Sequence, residues 1–150
     1  MWDLNSLLPA GSTAVLKSAS SINDAGQIVG TGIVNGVEQA FILTPVNVKS
    51  LQYSSSSVNA GSSVQATVSL TNAPSRDLSI AISDNHPAAS APSSVSVYGG
   101  NTAASFTVDT YWVFSNTTGS FGASLPSSFR YCSGVSAPLT VLGPVFKAAF

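Results

Sequence analysis

The feature that most constrains the fold is an apolar–polar alternation of period two, which recurs along the chain. No stretch shows the spacing of an amphipathic helix. In residues 63–70, Ser, Gln, Thr and Ser alternate with the apolar residues Val64, Ala66, Val68 and Leu70. Side chains of a strand alternate between its two faces, so this run has one face for a core and one for solvent. The sequence therefore predicts an all-β fold.

The same alternation returns between residues 47 and 142, and turn residues separate the runs. Gly, Pro and Asn mark these turns, as in Gly99-Gly100-Asn101. About seven short strands with such spacing are typical of an immunoglobulin-like antiparallel β-sandwich, which we predict for residues 47–142. The apolar residues expected to face its core are Leu78, Ile80, Ile82, Val95, Val97, Ala104, Phe106, Val108, Phe121, Ala123, Leu125, Val135, Leu139 and Val141.

Residues 1–46 carry a separate hairpin signal. Two strand-like runs, residues 27–34 and 37–43, meet across Asn35-Gly36, a pair that suits the positive φ angles of a type I′ turn. A second turn at Asn23-Asp24-Ala25-Gly26 follows a further expected strand at residues 18–22. We predict a small hairpin or meander unit, and three short strands of this kind need neighbours to be stable.

A short motif near the end of that unit recurs roughly 100 residues later, about the length of one sandwich domain. Leu43-Thr44-Pro45-Val46 is followed by Lys49, and Leu142-Gly143-Pro144-Val145 is followed by Lys147. In both places a strand-like run ends at a proline, which cannot donate to a β-ladder. We therefore expect tandem modules: a unit at 1–46, a sandwich at 47–142, and at 143–150 the start of a further repeat or a tail.

Composition limits the classes of partner. Charged residues make up 7% of the chain and the net charge is −1, which argues against binding to nucleic acid or to an anionic membrane surface. The chain is 44% hydrophobic, but no run approaches the roughly 18 apolar residues of a membrane span. A neutral Ser-, Thr- and Asn-rich surface is typical of secreted bacterial β-proteins, so an extracellular or cell-surface location is expected, although the first residues do not read as an export signal. Cys132 is the single cysteine, which excludes an intrachain disulfide.

Two segments resemble known families. The first part is similar to the HAF repeat of bacterial extracellular proteins, through Ser21-Ile22-Asn23-Asp24-Ala25-Gly26-Gln27-Ile28-Val29-Gly30, Asn35-Gly36 and Ala40-Phe41-Ile42-Leu43, with Trp2-Asp3-Leu4-Asn5-Ser6-Leu7-Leu8 upstream. This resemblance implies one blade of a propeller-like β-structure that recurs in tandem. It implies no activity, because none is established for the repeat.

The second part resembles the bacterial Ig-like repeats of cell-surface and secreted proteins. The resemblance rests on Ser57-Val58-Asn59-Ala60-Gly61-Ser62-Ser63, Val68-Ser69-Leu70, Pro92-Ser93-Ser94-Val95-Ser96-Val97, Gly99-Gly100 and Ala104-Ser105-Phe106-Thr107-Val108. Residues 127–133 depart from the pattern because they are rich in bulky side chains, so a longer or irregular hairpin loop is expected there.

Residues suited to catalysis are few. Glu38 is the single glutamate and His86 the single histidine. Asp77 and Asp84 flank one predicted strand at an odd spacing, which directs them to opposite faces and argues against the facing carboxylates of a glycosidase. Asp84-Asn85-His86-Pro87 could form a hard-cation site or a histidine base, and Asn23-Asp24-Ala25-Gly26 the start of a calcium loop. Turn chemistry is favoured in both places, so replacing Asp84 or His86 by Ala should lower stability only slightly. We expect no enzyme, metal or cofactor.

Tyr111-Trp112-Val113-Phe114 is the densest aromatic run. Within a strand about half of it would face outward, and core or inter-module contact is favoured over a stacking platform for sugars. The leading hypothesis is a non-catalytic structural module that spaces or presents other domains, or that assembles with neighbouring repeats of the same or identical chains. In the assembling version a strand opening at Val145, with Phe146 and Phe150, pairs outside the chain. The alternative is a carbohydrate-binding or adhesion module that contacts polysaccharide through Tyr111, Trp112 and Phe114. A hydrolase would need catalytic residues from elsewhere.

Overall fold

A computed structural model describes residues 3–8, 12–125 and 134–145. The protein is all-β, and the one helical segment among these residues is a short 3-10 turn, Leu4–Leu7. None of the described segments forms a helix long and apolar enough to cross a membrane. The chain divides into two compact units, Met1–Pro45 and Val46–Phe150.

The first unit is an antiparallel meander of three strands in the order β1-β2-β3. The strands are β1 (Val15–Ile22), β2 (Ile28–Val34) and β3 (Val37–Leu43). Val34 pairs with Val37 across the β2–β3 turn, where Asn35 has φ 52° and Gly36 has φ 80°. These positive angles at both positions confirm the predicted type I′ hairpin. The turn at Asn23 is also confirmed, because the Gly26 N–H donates to the Asn23 carbonyl at 2.9 Å.

The second unit is a sandwich of two sheets. Its strands are β4 (Val48–Tyr53), β5 (Ser57–Asn59), β6 (Ser63–Leu70), β7 (Leu78–Asn85), β8 (Ala89–Ser90), β9 (Ser94–Val97), β10 (Ala103–Thr110), β11 (Thr117–Ser124) and β12 (Val135–Leu142). One sheet has the order β4-β6-β10-β8 and the other β5-β12-β11-β7-β9. All pairings are antiparallel except that of β5 with β12. Outer strands aside, these orders correspond to the two sheets of an immunoglobulin-type sandwich, and the predicted fold class is confirmed.

Most of the sandwich core consists of residues that the alternation predicted. Of the predicted residues, Leu78, Val95, Ala104 and Val135 are only partly buried, and the core also contains Val48, Leu51, Ala88 and Ala89. In β6, every second residue from Val64 to Leu70 is buried and points to the facing sheet. Ile80 of β7, Phe121 of β11 and Leu139 of β12 have no solvent-accessible surface. In β6 each inward residue alternates with an outward Ser, Gln or Thr, so this strand presents an apolar face to the core and an uncharged face to solvent.

One strand of the sandwich has a pattern that alternation does not reveal. In β4, Val48 and Leu51 are both buried although they lie three residues apart. The pairing of β4 with β6 shifts register between Val48 and Ser50, and such a bulge inserts one extra residue. The extra residue turns the Leu51 side chain toward the core. It also interrupts the apolar–polar alternation of the sequence at the same point.

The first unit has a different distribution of apolar surface. All buried apolar residues of the described chain belong to the second unit. In the meander, Val29 of β2 and Ile42 of β3 are paired on one face, and Ile22 of β1 lies beside Ile28 on the other. Val29, Ile42 and Ile22 are 40%, 60% and 65% exposed. Among the described residues, the three-stranded sheet therefore carries apolar side chains on both faces and none that is fully buried.

Candidate binding site at one end of the sandwich

The aromatic run lies in a loop, not in a strand. β10 ends at Thr110 and β11 begins at Thr117, so Tyr111, Trp112 and Phe114 lie in the connection. The two strands that pair with β10 both begin at this end of the sandwich, β6 at Ser63 and β8 at Ala89. Beyond Thr110 the chain therefore has no neighbouring strand to pair with. The expectation that the run lies within a strand, with about half of it facing outward, was wrong for this reason.

The three aromatic side chains of this loop are open to solvent. Tyr111 is 55% exposed, Trp112 78% and Phe114 93%. Val113 alone turns inward and packs against the core of the sandwich. One apolar side chain thus holds the loop while its three aromatic neighbours face outward.

Hydrogen bonds fix the start of the loop. Thr110 is 7% exposed, and its hydroxyl donates to the carbonyl of Ser62 and lies 3.2 Å from that of Asn59. The Tyr111 N–H donates to the carbonyl of Ala88 at 2.9 Å. The turn between β5 and β6 and the first residues of the loop are therefore held together.

The end of the loop is held by the chain that leaves β12. The Asn116 side-chain oxygen accepts a hydrogen bond from the Gly143 N–H at 3.0 Å. A Cβ at Gly143 would lie 2.8 Å from the Ser115 nitrogen and 2.9 Å from the Phe114 carbonyl carbon, so backbone packs directly on backbone. The Leu142 carbonyl accepts from the Ala60 N–H at 3.0 Å and ties the same segment to the β5–β6 turn.

Trp112 rests on a glycine. Gly61 has φ +78°, and a Cβ there would lie 3.1 Å from the indole Nε1 and 3.2 Å from Cε2. The left-handed conformation favours glycine at this turn, and the absence of a Cβ lets the ring approach the backbone closely. The indole is thereby supported along its nitrogen-bearing edge while most of its surface remains in solvent.

A shallow hollow of about 340 Å³ opens beside Trp112. Its walls come from the β5–β6 turn, the aromatic loop and the segment after β12; they are Asn59, Ala60, Trp112, Asn116, Leu142, Gly143, Pro144 and Val145. None of these residues carries a charge. The structure therefore brings together Trp112 and Val145, which the sequence assigned to two different hypotheses. Val145 is 96% exposed and lies outside any strand, whereas Phe146, Phe150, Cys132 and the predicted irregular loop lie outside the described residues.

The residues considered for catalysis or metal binding accept hydrogen bonds from backbone N–H groups, within turns at Asn23 and Asp84 and between two loops at Asp77. Asp84 Oδ1 accepts from the His86 N–H at 2.9 Å, which confirms the Asx turn, and Asp77 Oδ1 accepts from the Gly99 N–H at 2.9 Å. Asn23 Oδ1 accepts from the N–H groups of Ala25 and Gln27. Within the three described ranges, no group of three or more His, Cys, Asp or Glu residues is placed to hold a metal ion.

His86 is a core residue. Its side chain is buried, its Nε2 lies 3.0 Å from the Leu139 carbonyl, and its Nδ1 accepts from the Ala88 N–H at 3.1 Å. Because a carbonyl can only accept and an amide N–H can only donate, these partners place the ring proton on Nε2. Both ring nitrogens are occupied by backbone groups, and the ring does not face solvent as a general base would.

A second hollow, of about 420 Å³, lies in the first unit beside the 3-10 turn and β1. Asp3 caps this turn, and hydrogen bonds from the Asn5 backbone and side chain lower the pKa of its carboxyl group. The Asn5 side chain also binds Leu16 of β1, accepting from its N–H at 2.7 Å and donating to its carbonyl at 3.1 Å. These contacts satisfy the backbone groups of Leu16 on the open edge of β1, so Asp3 and Asn5 already have structural roles in this hollow.

Comparison with known proteins adds no assignment: no family model matches this chain, and no curated protein matches it.

Sequence reasoning identified the aromatic residues of the site but missed Asn59, Gly61 and Asn116. The available signal was topological. In a sandwich of this type the β5–β6 turn, the β10–β11 loop and the end of β12 lie at the same end of the two sheets. The sequence by itself indicates only ordinary turn residues at Asn59, Gly61 and Asn116. Their role in a site becomes evident when the common end of the sandwich is considered together with the exposed Trp112.

Proposed function

We propose that this chain is a non-catalytic carbohydrate-binding or adhesion module of a secreted or cell-surface bacterial protein. Tyr111, Trp112 and Phe114 would contact a polysaccharide. The observation that carries this proposal is the exposure of all three aromatic rings on a loop that is anchored at both ends. Three exposed aromatic side chains within four residues differ from singly scattered apolar residues, and exposed apolar surface of this kind is typical of an interaction site.

The chemistry of the loop suits a sugar polymer. Aromatic rings offer flat apolar surfaces that pack against the C–H groups of a pyranose, while the Trp112 N–H can donate to a hydroxyl. The anchors at Thr110, Val113 and Asn116 hold the loop before a ligand arrives, which reduces the entropy lost on binding. A loop whose backbone is held in this way favours binding over a purely structural role for its three exposed rings.

The proposed location rests on the sequence. A surface with few charges and many hydroxyl and amide groups, and the resemblances to extracellular HAF and Ig-like repeats, all support an exported protein. The second unit, with its immunoglobulin-type strand order, would present the aromatic loop at one end of a stable sandwich.

The test measures binding of the full chain to insoluble and soluble polysaccharides by co-sedimentation and calorimetry. We expect Trp112→Ala to weaken binding at least ~10-fold, about 1.4 kcal/mol, with a smaller loss for Phe114→Ala. Tyr98→Ala is the matched control, because Tyr98 is 63% exposed but precedes β10, at the other end of the sandwich. Equal binding by the wild type and by Trp112→Ala would refute the proposal.

A second candidate is the structural role, in which the chain spaces other domains or assembles with neighbouring repeats. Val46 packs against the sandwich core, whereas Val145, at the matching place in the repeated motif, is 96% exposed. The described residues of the meander also include no buried apolar side chain, as expected of a blade that needs neighbours. Light scattering at several concentrations tests this role: assembly predicts growth in mass that Val145→Asp reduces, and a constant monomer mass would exclude self-assembly.

A further inference from the structure

We infer that the hollow beside Trp112 is a subsite for one uncharged sugar ring. The inference rests on the proposed function and adds the chemical class of the ligand. The hollow holds about 340 Å³, which is at the lower end of the range for small-ligand sites, about 300–1,000 Å³. This size suits a single ring, such as a branch or a chain end, next to the aromatic loop.

Two side-chain amides supply polar contacts at the hollow. The Asn116 oxygen is used by the Gly143 N–H, which fixes the side chain and leaves its NH₂ group as a donor. No hydrogen bond joins the Asn59 side chain to another residue in the described part of the chain. The backbone carbonyl of Asn59 accepts from the Ser62 N–H and the Thr110 hydroxyl. Amides both donate and accept, which matches the hydroxyl groups of a sugar.

The remaining walls decide against a charged ligand. Ala60, Leu142, Pro144 and Val145 are apolar, and no Lys, Arg, Asp or Glu is among the described residues that line the hollow. A uronate or a sulfated sugar would lose part of its hydration here without gaining an opposite charge. An uncharged ring can place its C–H face against Trp112 and the apolar wall, and its hydroxyls toward Asn59 and Asn116.

Asn116→Asp is the discriminating variant. An aspartate at this position can still accept from the Gly143 N–H, so the loop keeps its anchor, but the NH₂ donor is lost and a negative charge is introduced. Asn101→Asp is the control, because it adds the same charge on an exposed residue before β10, at the opposite end of the sandwich.

The experiment titrates the full chain with three neutral polysaccharides, a β-glucan, a mannan and a galactan, and with two anionic ones, polygalacturonate and hyaluronate. We expect at least one neutral polymer to bind more tightly than both anionic polymers. Asn116→Asp should weaken that binding at least ~10-fold and Asn101→Asp less than ~2-fold. Thermal unfolding of both variants checks that they remain folded.

The outcomes separate this inference from the proposed function. Binding that depends on Trp112 but is unchanged in Asn116→Asp, or that prefers the anionic polymers, overturns the subsite and leaves the aromatic platform standing. Absence of binding to all five polymers overturns both. Self-association that Trp112→Ala abolishes, in a chain that binds no polymer, would show that a second copy occupies the hollow and would likewise overturn the inference.

Discussion

The imidazole of His86 stacks on the ring of Phe121, with ring centroids 5.8 Å apart and an interplanar angle of 13°. His86 follows β7, Phe121 lies on β11, and the His86 ring also contacts the Leu139 carbonyl of β12. One polar side chain thus links three neighbouring strands of the five-stranded sheet from within the core. A buried polar group is stable in this setting only because each of its ring nitrogens has a partner.

Replacing His86 by Ala should destabilise the sandwich by ~2–4 kcal/mol. The change creates a cavity against Phe121 and leaves the Ala88 N–H and the Leu139 carbonyl without their partner. The sequence alone suggested a small effect, because it did not show that the ring is buried. Urea unfolding followed by fluorescence measures the difference. Asn85→Ala, at the exposed neighbour, should change stability by no more than ~0.5 kcal/mol, and equal midpoints for His86→Ala and wild type would contradict the prediction.

Gly119→Ala should cause a loss of ~2–4 kcal/mol for a steric reason. A Cβ at Gly119 would lie 2.6 Å from the His86 Cα and 2.7 Å from its Cγ, so backbone and ring would both have to move. The control is Gly122→Ala on the same strand, where the conflict is with the Ser83 hydroxyl, which can rotate away. We expect a loss below ~1 kcal/mol for the control, and a similar loss in both variants would argue against close packing of His86 on β11.

The strands with strict alternation could be predicted from the sequence, and β6 is the clearest example. Its inward residues, from Val64 to Leu70, are all buried because pleating alone determines their direction. The hairpin at Asn35-Gly36 could be predicted equally well, because these two residues favour the positive φ angles that their turn requires. In both cases the controlling physics is local.

The features that escaped prediction depend on contacts between distant segments. The bulge in β4 hides Leu51 from a period-two search, and the burial of His86 depends on Leu139 of β12. Trp112 is exposed because β6 and β8, the two partners of β10, do not extend beyond Thr110. The residues around Trp112 do not encode this limit. The sequence therefore predicted the candidate site only as an aromatic run. It did not predict the packing of Trp112 on Gly61 or the side-chain amides of Asn59 and Asn116.

Asn5→Ala should loosen the edge of β1. The Asn5 side chain binds both the N–H and the carbonyl of Leu16, as a neighbouring strand would. Without it, the Leu16 amide should exchange with solvent at least ~5-fold faster, about 1 kcal/mol of lost protection. Hydrogen exchange followed by NMR measures this amide. Asn5→Asp, which keeps an acceptor for the Leu16 N–H, should fall between wild type and Asn5→Ala; unchanged exchange in Asn5→Ala would contradict the role of this side chain.

Tyr53 should make the stability of the sandwich sensitive to alkaline pH. Burial raises the pKa of its hydroxyl above 10.0, and the nearby negative charge of Asp84 acts in the same direction. The hydroxyl donates to the Ala137 carbonyl at 2.9 Å, and the ring meets Phe121 edge-on with centroids 6.5 Å apart. Above pH 10 the unfolded chain loses the Tyr53 proton before the folded chain does. The free energy of unfolding therefore keeps the Tyr53 contribution below that pH and loses it as pH rises through the folded pKa.

The comparison of wild type with Tyr53→Phe isolates this contribution. At pH 8 the variant should be less stable by ~1 kcal/mol, because the hydrogen bond to Ala137 is lost. Between pH 8 and pH ~11 the difference should shrink, since phenylalanine has no proton to lose. Urea unfolding at closely spaced pH values measures both effects. Tyr98→Phe, at an exposed tyrosine, should follow the wild-type curve, and a constant difference between wild type and Tyr53→Phe across this range would show that the Tyr53 hydroxyl is not the group responsible.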